Sequence, residues 1–144
     1  MRVVHKRILI VEDDPDMAEL LRVALNRAGH MASVAATGTA ALAQARRAPP
    51  DLILLDLILP DVNGFSVCET LRRESATAKV PIIMITALPG ELPRLAGAEM
   101  GASAYFSKPF EMNELVARVE DIFQLSPCRG GAPSSRCREL AAHL

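Results

Sequence analysis

Aromatic side chains are scarce in this chain: no tryptophan, one tyrosine and four phenylalanines among 144 residues. That removes most ways of stacking on nucleic-acid bases. Cysteine is also rare, with three residues, Cys68, Cys128 and Cys137. So few thiols, in a chain expected to be cytoplasmic, argue for free thiols rather than a disulfide framework. Cys128 and Cys137 stand apart from other ligand types, which argues against a zinc site. No apolar run is long enough to cross a membrane. The basic start, Met1 to Arg7, is followed by an apolar run from Ile8 to Val11 that is too short for a signal-peptide core and meets acids at once. A cytoplasmic protein with no membrane partner is expected. Net charge is −1, so nothing points to nonspecific nucleic-acid affinity. The end of the chain carries Arg129, Arg136 and Arg138 against Glu139. It is too short and too weakly charged for a DNA-binding domain, and no direct nucleic-acid partner is expected.

What the chain does have is a stretch of four consecutive aliphatic residues between two acids, Asp51-Leu52-Ile53-Leu54-Leu55-Asp56. A short apolar run without alternation reads as a strand buried on both faces, as in a parallel sheet. Similar strands are predicted over Arg7–Val11, Met31–Ala35, Val80–Ile85 and Ser103–Ser107. Between them lie helical patterns. Asp14 is a good N-cap with Pro15 at the first helical position, and Met17, Leu20, Leu21, Ala24, Leu25 and Ala28 follow at helical spacing up to Gly29. Thr37-Gly38 reads as a turn, Thr39–Arg47 as a helix, and Phe65–Glu74 as a third helix burying Phe65, Val67, Cys68 and Leu71. Residues 88–100 are the weakest element, because Pro89, Gly90, Pro93 and Gly97 disfavour a helix; a short, late-starting helix is expected there. Glu111–Leu125 is amphipathic, with Leu115, Val116, Val119, Ile122 and Phe123 inward. Five alternations of strand and helix make a doubly wound α/β sheet of three layers. The domain is expected over residues 5–125, followed by a flexible C-terminal tail over 126–144, whose first half has linker composition.

Ligands of open α/β sheets bind outside the carboxyl ends of the strands. There the first strand supplies Glu12 and Asp13, the third Asp56, the fourth Thr86, and the fifth leads to Lys108. Taken singly, each has a bland explanation: a solvated turn with a helix cap, a strand-end hydroxyl, a solvated lysine. Together they point to chemistry. Clustered carboxylates repel unless a cation is present, and hard carboxylate oxygens with few other ligands suit Mg²⁺. A hydroxyl and an ammonium on the far side of Asp56 suit a phosphoryl group on that aspartate, with Thr86 donating and Lys108 neutralising charge. Carboxylates form acyl-phosphates, so Asp56 can be the nucleophile.

These stretches resemble a response-regulator receiver domain of two-component signalling: Ile8–Asp14, Asp51–Asp56, Leu59–Gly64, Pro81–Ala87, Gly101-Ala102 and Lys108-Pro109-Phe110. The resemblance implies a flavodoxin-like (βα)5 fold with strand order 2-1-3-4-5. It implies that Asp56 accepts a phosphoryl group from a histidine kinase or histidine phosphotransfer protein. Asp13 would bind Mg²⁺ directly, Glu12 through water, and Ile58 through its backbone carbonyl. Thr86 and Lys108 would hold phosphoryl oxygens, Tyr105 would be a rotating switch residue, and the Lys108–Pro109 bond would be cis. Phosphorylation would reshape the surface around the fourth helix, fifth strand and fifth helix for a downstream protein effector; a phosphorylation-dependent homodimer fits the same pattern. Such a chain is a phosphoacceptor signalling protein, not an enzyme beyond self-phosphotransfer and slow self-dephosphorylation. The slowness is expected because Ile58 and Leu88, which flank the acyl-phosphate, are aliphatic.

The segment 88–93 departs from the family's fourth helix, and mobility is expected there without phosphate. A single-domain receiver is the favoured organisation; a receiver belonging to a larger DNA-binding or cyclase regulator is the alternative. Another rival is a receiver-like scaffold that is never phosphorylated, against which the intact Glu12, Asp13, Asp56, Thr86 and Lys108 argue. A haloacid-dehalogenase-like phosphatase wants a second aspartate where Ile58 stands. A flavin-binding module wants a phosphate-cradling loop where Glu12-Asp13-Asp14 would repel the phosphate.

Overall fold

The computed structural model describes residues 5–88 and 90–125. The tail over 126–144, with Cys128 and Cys137, lies outside the described residues. The chain alternates β1 (Arg7–Val11), α1 (Pro15–Arg27), β2 (Met31–Ala35), α2 (Gly38–Arg47), β3 (Leu52–Asp56), α3 (Gly64–Arg73), β4 (Ile82–Thr86), α4 (Glu91–Glu99), β5 (Ala104–Ser107) and α5 (Met112–Leu125). All five strands are parallel, in the order β2-β1-β3-β4-β5. Both β3 and β4 are buried along their whole length, as continuous apolar runs require when helices cover both faces. Alternate residues feed two cores. Ile8, Ile10, Leu52, Leu54, Ile83 and Ile85 pack against α1 and α5. Leu9, Val11, Ile53, Leu55, Ile82 and Met84 pack against α2 and α3. Among the described residues, no helix is long and apolar enough to cross a membrane.

Local signals behave as their chemistry dictates. Asp14 Oδ1 accepts from the Asp16 N–H at 3.0 Å, with Pro15 opening α1. Thr37 is not simply a turn residue: its hydroxyl caps α2 by accepting from the Ala40 N–H, and Gly38 is the first helical residue. Leu20, expected inside, is 59% exposed, while Ala18, Leu21 and Leu25 form the buried stripe of α1.

The larger correction concerns α4. It starts at Glu91, earlier than expected, and runs nine residues. Pro93 is its third residue, where the N–H has no intrahelical partner anyway, so the ring removes no hydrogen bond. Gly97 is buried in the helix interior, and a Cβ there would lie 2.8 Å from Met84 Sδ and 3.4 Å from Tyr105 Cδ2. The absent side chain lets α4 lie close on β4 and β5. Two apolar residues of α4 face outward: Leu92 and Leu95 are 79% and 56% exposed.

Candidate functional site

Strand register assembles the site. Val11 pairs with Leu55, so Glu12 and Asp56 leave neighbouring strands at the same height. Asp56 pairs with Ile85, one residue short of Thr86, and Thr86 pairs with Ser107, one residue short of Lys108. The Lys108 N–H then donates to the Thr86 carbonyl at 2.8 Å. The Lys108–Pro109 peptide bond is cis.

The side chains converge on one another. Glu12, Asp13 and Asp56 each present a carboxylate oxygen within 4.8 Å of the others. Glu12 and Asp56 are buried, and Asp13 is exposed at the rim. Lys108 Nζ donates to Glu12 Oε1 and to Asp56 Oδ2, each at 3.0 Å. The ammonium therefore bridges the two carboxylates rather than keeping to the far side of Asp56, because the buried acids have no other cation among the described residues. Asp56 Oδ1 accepts from the Ile58 N–H at 3.0 Å, and Glu12 Oε2 from the Asp14 N–H at 3.2 Å.

Thr86 is fully buried, and its hydroxyl accepts from the Leu88 N–H at 3.1 Å. Its proton has no acceptor among the described residues, so the donor function of the hydroxyl is unspent. Tyr105 sits beside Met84 on β5. Its ring is half-buried, and its hydroxyl is buried with no hydrogen-bond partner among the described residues. Burial pushes that phenol up, against the pull of the nearby Arg94 charge. Ile58 is half exposed in the loop after β3 and forms an antiparallel bridge with Asn63, whereas Leu88 packs on the core face of β4.

Burial pushes the Glu12 carboxyl above its ordinary range; the Lys108 hydrogen bond draws it down, and the Asp56 charge pushes it up again, with a net upward shift. An acid raised in the folded state binds more protons folded than unfolded, so its ionisation costs stability. The cost is absent below the ordinary value of 4.5 and grows as pH rises through the raised one. A Glu12→Gln variant without metal is accordingly expected to melt above the wild type at pH 7 and to lose that advantage below pH 4.5. Thermal melts across that range check it; a gain confined to low pH contradicts it.

Three clustered carboxylates, two of them bridged by one ammonium, are a donor set of hard oxygens suited to a divalent cation of the Mg²⁺ class. Two structural residues escape a reading of the sequence. Arg72 threads its guanidinium between the α3–β4 loop and the turn after α4, and Asp61 reaches α2 from the loop after β3. No local pattern marks either, since their partners are backbone groups of distant segments.

The model of the response regulator receiver domain matches residues 8–120. The DNA-binding response regulator MtrA of Mycolicibacterium smegmatis is 45% identical over 119 residues, 83% of this chain and 51% of that protein. The DNA-binding dual master transcriptional regulator RpaA of Synechocystis sp. is 42% identical over 118 residues, 82% of this chain and 49% of that protein. The chain thus spans about half the length of these curated relatives. Among solved structures, the chemotaxis response regulator CheY4 of Vibrio cholerae superposes with a TM-score of 0.77 at 28% identity, covering 83% of this chain and 99% of that one.

Proposed function

This chain belongs to the response-regulator receiver family of two-component signalling, and on that premise we propose that Asp56 is its phosphoacceptor, served by Mg²⁺ and charged by a histidine kinase or histidine phosphotransfer protein. Receivers of this family are signalling modules, not metabolic enzymes. The observation that carries the reading is the buried Asp56 carboxylate, held in a cluster with Glu12 and Asp13 and bridged by Lys108.

Glu12, Asp13 and Asp56, with the Ile58 carbonyl, are the groups that would hold Mg²⁺. When bound, the ion supplies positive charge to the transferring phosphoryl oxygens. The rest falls to the chain. An oxygen of Asp56 attacks the phosphorus of a phosphohistidine. The O–P bond forms as the P–N bond breaks, and the imidazole leaves with the electron pair and takes up a proton. Lys108 neutralises the added charge, and the Thr86 hydroxyl donates a hydrogen bond to a phosphoryl oxygen. Moving Thr86 toward the phosphoryl group alters the space beside Met84 and Tyr105. A buried hydroxyl without a partner is disfavoured by about 1–3 kcal/mol, a gap that a local charge can reverse. The affected surface, α4-β5-α5, includes a cleft of about 250 Å³ lined by Arg94, Leu95, Tyr105 and Arg118, which suits a downstream protein effector or a second copy. Service to a DNA-binding regulator is the second reading, because both relatives bear that description and match through only half their length.

Intact mass after incubation with Mg²⁺ and acetyl phosphate tests the core of this. Wild type is expected to gain one phosphoryl group and Asp56→Asn none. The gain should persist for many minutes, since neither Ile58 nor Leu88 can hydrogen-bond an attacking water. No gain with acetyl phosphate, followed by none with a phosphorylated kinase, would move the chain to the scaffold reading.

A further inference from the structure

The loop after β3 carries Ile58 and runs to the start of α3, and something must hold it in place while the site fills. Its docking point is the first turn of α2. Asp61 Oδ1 accepts from the Gly38 N–H at 2.9 Å, and Asp61 Oδ2 accepts from the Thr39 N–H at 3.0 Å and the Thr39 hydroxyl at 2.7 Å. The Thr39 hydroxyl, the Thr39 N–H and the Gly38 N–H together hold the Asp61 carboxyl well below the usual carboxylate range. Thr37 takes the Ala40 N–H. Two of the first free donors of α2 are therefore capped by a residue 22 and 23 positions later, whereas caps are ordinarily local. Shape reinforces the contact. A Cβ on Gly38 would fall 2.2 Å from Val62 Cγ2 and 2.9 Å from Val67 Cγ2, so loop and helix interlock only because residue 38 has no side chain.

From Asp61 the connection runs back to the phosphoacceptor. Ile58 bridges Asn63 across the loop, and the Ile58 N–H holds Asp56 Oδ1 at 3.0 Å. We infer that Asp61 is a positioning residue for the metal and phosphoryl site: by clamping the β3–α3 loop to the N-terminus of α2, it fixes where Ile58 stands relative to Asp56. The inference rests on the Mg²⁺ reading of the site. It makes α2 part of the site's support, although no residue of α2 belongs to the acidic cluster.

The test uses the full chain, with Mg²⁺ as the titrant in calorimetry and amide exchange at Ile58 followed by NMR in metal-free buffer; the Val62 N–H is no reporter, because it donates to Asp61 Oδ1 itself at 2.9 Å. Asp61→Ala is expected to weaken Mg²⁺ binding about tenfold, the usual scale for losing an outer-shell support, and to speed exchange at the Ile58 amide, which bonds to Asp56 and not to Asp61. Asp61→Asn, which keeps one acceptor oxygen, should fall between. Arg46→Ala provides the structural control. It breaks the exposed Arg46–Glu74 pair at the other end of α2 and should leave Mg²⁺ affinity as in wild type, whatever it does to the melting temperature. Wild-type Mg²⁺ affinity in Asp61→Ala, or unchanged exchange at Ile58, overturns the inference and leaves Asp61 as a helix cap only. Absence of Mg²⁺ binding in the wild type itself overturns the underlying reading of the site, and the positioning role with it.

Discussion

Phosphoryl transfer onto Asp56 in a Lys108→Met variant is expected to run about a hundredfold slower than in the wild type. Lys108 places one ammonium 3.0 Å from each of two buried carboxylates. Methionine keeps the length of the side chain and removes only the charge and its donors. Two consequences follow in the same direction. In the site without Mg²⁺, Glu12 and Asp56 would face each other with no cation between them, which favours protonation of one and withholds the anionic nucleophile until the metal binds. On the proposed mechanism the transition state also loses the cation that would meet the incoming phosphoryl oxygens, and loss of one such preorganised group slows reactions by about 10² to 10³. Lys108→Arg should recover part of the rate, since it restores charge in a planar fork that fits the gap less well than a compact ammonium. Burial draws the Lys108 ammonium down, but its bonds to Glu12 and Asp56 outweigh that and raise it above its ordinary 10.5. Its contribution is complete below that value and is lost only as pH climbs through the raised one, so no Lys108 step belongs in the rate profile below about pH 10. The rate of phosphoryl mass gain at saturating Mg²⁺ decides the matter. A Lys108→Met rate within threefold of wild type would remove Lys108 from the transfer step.

Replacing Arg72 by methionine is expected to cost about 3 kcal/mol of stability while leaving the acidic cluster intact. The Arg72 guanidinium has no carboxylate partner among the described residues. One nitrogen donates to the carbonyls of Val80 at 2.7 Å, Ala78 at 3.2 Å and Thr77 at 3.5 Å, and the other donates to the Gly101 carbonyl at 2.8 Å. It thus ties α3 to the loop before β4 and to the turn after α4. Hydrogen bonds to a charged donor contribute about 1.5–3 kcal/mol each, and the carbonyls left behind are partly buried. Burial draws the guanidinium down from its ordinary value, yet an arginine stays charged throughout the physiological range. For a domain of this size, about 3 kcal/mol is a fall of about 10 °C in Tm. Urea unfolding with an unchanged slope and a lower midpoint is the expected observation. The acetyl phosphate reaction, measured well below the transition, should proceed at a near-wild-type rate. A midpoint shift under 1 kcal/mol would mean that water replaces the guanidinium at those carbonyls without penalty.

Arg72, Asp61 and α4 show where a reading of the chain alone stops. Leu52–Leu55 is legible as a strand buried on both faces because a strand covered by helices on each side has to be apolar at every position. Asp14-Pro15 is legible as a helix start because a cap and its acceptor lie within one turn. The candidate site was legible for a related reason: each of its residues follows a recognisable strand, and the carboxyl ends of parallel strands lie along one edge of the sheet. Tertiary structure decided the rest. Pro93 and Gly97 disfavour a helix in isolation, but Pro93 falls where its missing N–H is not needed and Gly97 where Met84 and Tyr105 leave no room for a side chain. Lys108 bridges Glu12 across 96 positions, and Asp61 caps a helix that begins 23 positions earlier. Periodicity and capping act over a few residues, so the sequence by itself determined the elements, their order and the edge at which the acids gather. Which carboxylate shares an ammonium, which loop is clamped to which helix and where α4 begins depend on distances of about 3 Å between segments far apart in the chain, and those exist only once the layers have packed.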